Sequence, residues 1–388
     1  MPHIYGIAEG AAPLVAAAGV LARDIAARRA GEVDSGARFP KESLEALKGQ
    51  GFLGLCLPRE VGGKGEGPRT FAAVVEEIAM GCGSTAMVYV MHMAAAQAVA
   101  ASQTLEGKDE VLRQMASGKH LSTLALSERG SRSQFWAPVS ELSPRNGNFA
   151  VTAFKSWVTS AGHADSYVAS ARQPGASSPL ETTLFLVRPG AKGVKVAGRF
   201  DGLGLRGNDS SPVSLEGLEV RPGDLLTAQG AGSKTTLEVI LPWFALGTAA
   251  MGNGLARAAV AATADHLASA GFEHTGEKLR DLPTLRARLA QMSVRTEQSR
   301  ALLGYTLGEV ESPSDTTPLY VLQARLAAIE AALEVTDLAM KACGGAAFSR
   351  HLPLERLFRD ARAGWVMAPT VDHLQDFVGK GLTGLPLF

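Results

Sequence analysis

The spacing of apolar residues changes twice along this chain, from helical to alternating and back to helical, and that order constrains the fold more than any single motif. Up to about His120 the apolar residues recur at helical spacing. Leu44 and Leu47 follow Phe39-Pro40, where the missing proline N–H costs little, and Gly51 ends that helix. Pro and Gly mark Leu57 to Pro68 as a loop, helical spacing resumes at Thr70 with Val74, Val75 and Ile78, and Ser84 to Ser102 reads as another long helix. From Leu121 the pattern becomes short runs bounded by turn residues: Ser122 to Leu126, Phe149 to Ala153, Ser166 to Ala171, Thr182 to Val187, Val194 to Val196 and Ser214 to Leu218. These predict antiparallel strands. Helix returns over Thr235 to Ala268, Leu282 to Gly308 and Thr317 to Ala342, with a final pair around Arg356 and Leu374. Blocks of one element type, rather than βαβ alternation, argue against Rossmann and TIM architectures.

Composition narrows the function classes. Lys plus Arg and Asp plus Glu both number 38, so the chain has no cationic excess to hold a nucleic acid. Cys56, Cys82 and Cys343 are far apart and outside any CxxC or Cys/His cluster, so neither a disulfide framework nor a metal site is indicated. The N-terminal MPHIYGIAEG lacks the basic and apolar regions of a secretory signal, and Ala86 to Ala101 is too short to span a bilayer. The expectation is a cytoplasmic protein without a membrane span.

Three segments carry candidate chemistry. Gly202-Leu-Gly204-Leu-Arg-Gly207 matches GxGxxG, but a strand pattern follows it instead of the helix N-terminus that would hold a pyrophosphate, so it reads as a turn. LALSERGSRS (Leu124 to Ser133) and FKSWVTSAGHAD (Phe154 to Asp165) set hydroxyls beside an aromatic or Gly at strand ends. That combination suits a planar hydrogen-bonding ring such as flavin, although a Trp in a strand is more often core.

At this point the sequence resembles the acyl-CoA dehydrogenase flavoprotein superfamily over nearly its whole length. RFPKESLEALKGQGFLGLCLPREVGGKG, LALSERG, KSWVTSAGHADSYV, GLGLRGNDSS with LEVRPGDLL, and ACGGAAFSRHLPLERLFRDAR look like the family's signatures, in the family's order. The resemblance implies an α+β fold with an N-terminal all-α domain over 1–120, a central antiparallel β-barrel domain over 121–230 and a C-terminal four-helix bundle over 231–388. It implies FAD as cofactor, an acyl-CoA substrate, a homodimer or homotetramer, and an electron acceptor flavoprotein or flavin reductase as partner. Carried over by position, Ser127 would bond the flavin ring, Trp157 would stack on it and Thr159 would bond near its reactive nitrogen. Ser133 falls where the family meets acyl-CoA, Gly344 and Gly345 would admit a neighbouring subunit's FAD, and Thr370 would contact cofactor.

The departures bear on mechanism. In Trp365-Val366-Met367-Ala368-Pro369-Thr370, Ala368 occupies the position of the family's catalytic Glu, and a methyl group accepts no proton. Glu238, on the first long helix of the C-terminal block, is the candidate displaced base; Asp372 and Asp376 read as solvated. Gly271 to Gly276 lacks the family's pyrophosphate-binding Arg, and Lys341 is the candidate replacement charge. The alternative is a flavin-dependent monooxygenase of the same superfamily, for which Pro369 and a pocket residue His92 would speak, His92 being equally readable as a core residue. A third possibility is a non-catalytic relative, against which Ser127, Trp157 and Thr159 argue.

Overall fold

The structure is a computed structural model that describes residues 3–387. Its first part is helical: α1 (Ala12–Leu21) runs through a π turn (Ala22–Ala26) into α2 (Ala27–Ser35), followed by α3 (Lys41–Gly49), α4 (Pro68–Gly81), α5 (Gly83–Ala101) and α6 (Lys108–Ala116). Gly51 takes φ +70°, the left-handed conformation that stops α3 at little cost for a residue without Cβ. α5 is apolar on every side because almost every residue in it is buried.

Seven strands follow: β1 (Ser122–Ala125), β2 (Ser143–Arg145), β3 (Asn148–Val158), β4 (Ser166–Arg172), β5 (Thr182–Val187), β6 (Val194–Val196) and β7 (Ser211–Val220). They form two sheets, β1-β4-β5 and β2-β3-β7-β6, and neither closes on itself. The expected antiparallel barrel is therefore corrected to two small stacked sheets. β1 also pairs with β4 in parallel, because the chain visits the second sheet through β2 and β3 before it returns. The first sheet is covered on both faces. Leu124, Val168, Leu184 and Leu186 face the helices, whereas Ala125, Ala169, Phe185 and Val187 pack on Val151, Val213, Leu215 and Val220 of the second sheet. Burial on both faces explains why Thr182 to Val187 reads as an unbroken apolar run.

The C-terminal part contains α7 (Gly232–Thr235), α8 (Leu241–Ser269), α9 (Pro283–Glu311), α10 (Thr317–Phe348), α11 (Leu354–Val366) and α12 (Val371–Thr383). Of these, α8, α9 and α10 are long and pack on one another, α11 packs on α8 and α10, and α12 packs on α10. Helical stretches Glu9–Ser35 and Gly232–Ser269 are long and apolar enough to cross a bilayer; 78% of the apolar window of the second is buried within the protein. In the GLGLRG segment a Cβ on Gly204 would lie 2.2 Å from the Arg359 carbonyl oxygen, so this glycine serves close packing of a turn against α11.

The N-terminal helices and the C-terminal block share one core, and a buried charge cluster ties them together. Glu76 on α4 is fully buried, accepts from the Tyr5 hydroxyl, and pairs with Arg257 of α8 at 2.7 Å and Arg300 of α9 at 3.0 Å. Asn253 donates to Tyr5 and accepts from Ser299, which extends the network. Burial, reinforced by Glu76, raises the Tyr5 phenol well above its ordinary value. Removing the charge would break the buried end of both pairs while Arg257 keeps Glu77 and Arg300 keeps Glu297, so Glu76→Gln is expected to lower stability by about 1–3 kcal/mol, measured by urea unfolding.

Candidate functional site

The flavin-facing candidates lie where the chain just past β1 pairs with β3. Past β1, the Ser127 carbonyl accepts from Ser156 N–H at 2.8 Å and Glu128 bridges to Lys155, so Ser127 sits beside the residue preceding Trp157. The β3–β7 register shifts between Lys155 and Val158, a bulge that turns the Trp157 side chain out of the sheet. Trp157 adopts φ +57°, costly for a bulky residue, and its side chain is 70% exposed. Strain held on an exposed aromatic is a mark of a binding surface. Thr159 is buried, with its hydroxyl 3.0 Å from Ser210 Oγ. Main-chain pairing thus sets Ser127 beside Trp157, Thr159 lies buried two residues further along the chain, and half-buried Ser133 follows in the adjoining turn.

Beneath this edge lies a buried ion pair. Lys155 Nζ donates to Glu128 Oε1 at 2.6 Å and to the Ser170 carbonyl at 2.5 Å. The Glu128 carboxylate also accepts from Val139 N–H, Ser140 N–H and Ser140 Oγ. Burial opposes ionisation of Glu128, but the Lys155 ammonium and these donors outweigh it and hold the carboxyl below its ordinary value. The 128–140 loop, pinned in this way, carries Phe135 and Trp136 into the helical core.

On the helical side, Gly344 takes φ +53° within α10, and neither Gly344 nor Gly345 has an atom within 4 Å of where a Cβ would sit. Both present open backbone. Lys341 is exposed and already paired with Asp337 at 2.6 Å. Thr370 caps α12, its hydroxyl accepting from His373 N–H at 3.4 Å. An open glycine pair, an exposed strained indole and edge hydroxyls are groups that fit a flavin dinucleotide.

The two acid–base candidates fall elsewhere. Glu238 lies in a π turn preceding α8; its side chain is 64% exposed and sits 4.0 Å from Lys234, so it is a solvated surface acid. His92 is fully buried: Nδ1 accepts from Ser122 N–H at 3.1 Å, which leaves Nε2 as the donor to the Leu53 carbonyl at 3.0 Å. Both ring nitrogens are engaged in joining α5 to β1, so His92 is a structural residue in this fold and the oxygenase reading loses it as a pocket group. Asp372 and Asp376 are exposed, as expected from sequence.

Sequence reasoning missed two residues flanking Ala368. Arg325 on α10 is fully buried, donates from Nη2 to the Met367 carbonyl at 2.9 Å and lies 4.8 Å from the centroid of Phe244. Burial alone lowers its pKa to about 9. His373 packs its ring against Trp136 and Phe377, and its buried Nδ1 has no hydrogen-bond partner. The available signal for Arg325 was a lone cation on an apolar face, Val321-Leu322-Gln323-Ala324-Arg325-Leu326.

Family-level sequence models for the N-terminal, middle and C-terminal domains of acyl-CoA dehydrogenase match residues 13–119, 123–218 and 230–381. The chain belongs to the acyl-CoA dehydrogenase family. Its relatives in that family are flavin-dependent oxidoreductases. A probable acyl-CoA dehydrogenase FadE25 of Mycobacterium tuberculosis is 26% identical over 346 residues, 88% of this chain and 87% of the relative. A 3-(aryl)acrylate reductase of Clostridium sporogenes is 25% identical over 371 residues, 93% of this chain and 96% of the relative. The structure of butyryl-CoA dehydrogenase from Megasphaera elsdenii superposes with a TM-score of 0.92 at 21% identity, covering 97% of this chain and 99% of the other.

Two variants test the structural assignments. Lys155→Met leaves the Glu128 carboxylate buried without its counter-ion and is expected to destabilise by about 3–5 kcal/mol, read from denaturant midpoints, with loss of the flavin spectrum. Burial lowers the His92 pKa from 6.5 to about 4 despite its backbone hydrogen bonds. Because the unfolded state then binds the extra proton first, stability is full above pH 6.5 and falls as pH drops toward 4, by about 3 kcal/mol in this histidine's contribution. His92→Asn should remove that slope from a pH series of urea melts.

Proposed function

We propose that this chain is an FAD-dependent oxidoreductase that exchanges a proton and a hydride across the Cα–Cβ bond of an acyl substrate. The observation that carries the reading is the main-chain pairing that sets Ser127 beside the exposed, strained indole of Trp157, with Thr159 two residues further on. FAD, when bound, supplies the acceptor for the hydride. The Trp157 indole offers the flavin an apolar face, and the hydroxyls of Ser127 and Thr159 offer hydrogen bonds to its rim. The protein's own task is to orient the acyl Cα–Cβ bond and to take the α-proton.

Ala368 accepts no proton and Glu238 is solvated, so we assign the proton-accepting role to His373. Its buried Nδ1 is unpartnered, and it lies in the same segment as Ala368 and Thr370. In the oxidative direction His373 would take the Cα–H proton, the electron pair of that bond would become the new double bond, and the hydride leaving Cβ is what bound FAD would accept. An acyl thioester is the first substrate class; the relative named 3-(aryl)acrylate reductase supports a free 2-enoate, run in the reductive direction, as the second. We place the protein in the cytoplasm as a homodimer or homotetramer that passes electrons to a partner flavoprotein. Exposed Phe348, three residues past the open glycine pair, supports association through that end of the helical block.

Anaerobic titration of the flavin-loaded protein with a series of acyl-CoAs is expected to bleach the oxidised flavin. No bleaching, combined with an oxygen adduct after chemical reduction and aeration, would replace this reading with the oxygenase. His373→Gln should slow bleaching by about 10²–10⁴-fold with little change in substrate binding, whereas Glu238→Gln should bleach at the wild-type rate. The reverse pattern would move the base to Glu238.

A further inference from the structure

We infer that Arg325 is a receptor for a substrate carboxylate, so that the acyl group this protein handles either ends in an anion or is itself a free acid. The inference rests on the acyl-substrate reading above and adds the charge of the substrate to it. A guanidinium carries five N–H donors and stays protonated in proteins, so a buried arginine must find acceptors rather than neutralise itself. Arg325 finds one, the Met367 carbonyl, while its Nε and Nη1 are buried without a partner. The Phe244 ring faces the cation but has no lone pair for those N–H groups.

Other partly buried arginines here are treated differently. Arg257 and Arg300 share Glu76, and Arg359 binds Asp34 and Glu355. Arg325 has no ion pair among the described residues. An isolated charge in such a place is strongly unfavourable unless an anion is brought to it. The chain itself withholds one at the adjoining position, where Ala368 stands next to the Met367 carbonyl that Arg325 holds. Met367 and Ala368 are only half-buried, so the guanidinium lies directly behind an accessible segment that also leads to Thr370 and His373. A carboxylate seated there satisfies the free donors and fixes which end of the substrate enters first.

The test compares acids with their neutral amides on the flavin-loaded protein by calorimetry. One pair is 3-phenylpropanoate against 3-phenylpropanamide, for a free acid; the other is glutaryl-CoA against its terminal amide, for an anionic chain end. Wild type is expected to prefer the acid by about 10- to 100-fold in at least one pair, the worth of a charge-assisted hydrogen bond, and the pair that responds names the source. Arg325→Met should abolish the preference while raising the thermal midpoint, because it removes an uncompensated buried charge; a guanidinium that only braces the 367–370 segment would lower the midpoint and leave the preference intact. Wild-type ratios near one in both pairs, or a folded Arg325→Met that keeps the preference, would overturn the inference. If Arg325→Met does not fold, Arg325→Lys takes its place: a reduced preference supports the role and an unchanged one overturns it. Bleaching by butyryl-CoA with ratios near one would remove the role of Arg325 and leave the proposed function standing. Acid preference without bleaching by any substrate would do the reverse.

Discussion

The Glu128–Lys155 pair holds the candidate site in shape. Lys155 is fully buried and Glu128 nearly so, and together they join the run-on of β1, the middle of β3 and the 128–140 loop at one point. Trp157 depends on this junction, because its positive φ survives only where the strand on either side is held in register. The same junction directs Phe135 and Trp136 across to α12, where Trp136 meets His373 and Phe377. A hydrophobic pair of similar volume could have been as stable, but it would not have engaged Val139, Ser140 and Ser170 in fixed directions.

Buried charge is managed the same way elsewhere. Glu76 is matched by two arginines from two helices, and Arg359 reaches Asp34 of α2 and Glu355 of its own helix. The RDAR stretch is accordingly structural. Asp360, raised by burial to about 6, accepts from the Leu205 N–H and fixes the glycine turn against α11. Zero net charge in this chain therefore reflects local pairing as well as an overall balance. Arg325 stands apart from that pattern, and it does so beside the one position where the family's acid is replaced by a methyl group.

Much of the architecture was legible because periodicity is a local property. The helices around Leu44, Val74 and His92 and the run Thr182 to Val187 fall within a few residues of where their spacing puts them, and the GxGxxG segment is a turn because no helix follows it. The arrangement of the strands in two open sheets was not legible. Strand spacing carries no record of which strands pair, and only the path of the chain through the second sheet makes β1 parallel to β4.

The site divides along the same line. By itself the sequence determined the family, since its signatures are matters of residue type in order. Only the tertiary structure decided that His92 is locked between Leu53 and Ser122, that Glu238 faces water, and that Arg325 lies buried with free donors behind Met367. Those outcomes depend on desolvation and on hydrogen-bond partners distant in the chain, which no local pattern encodes.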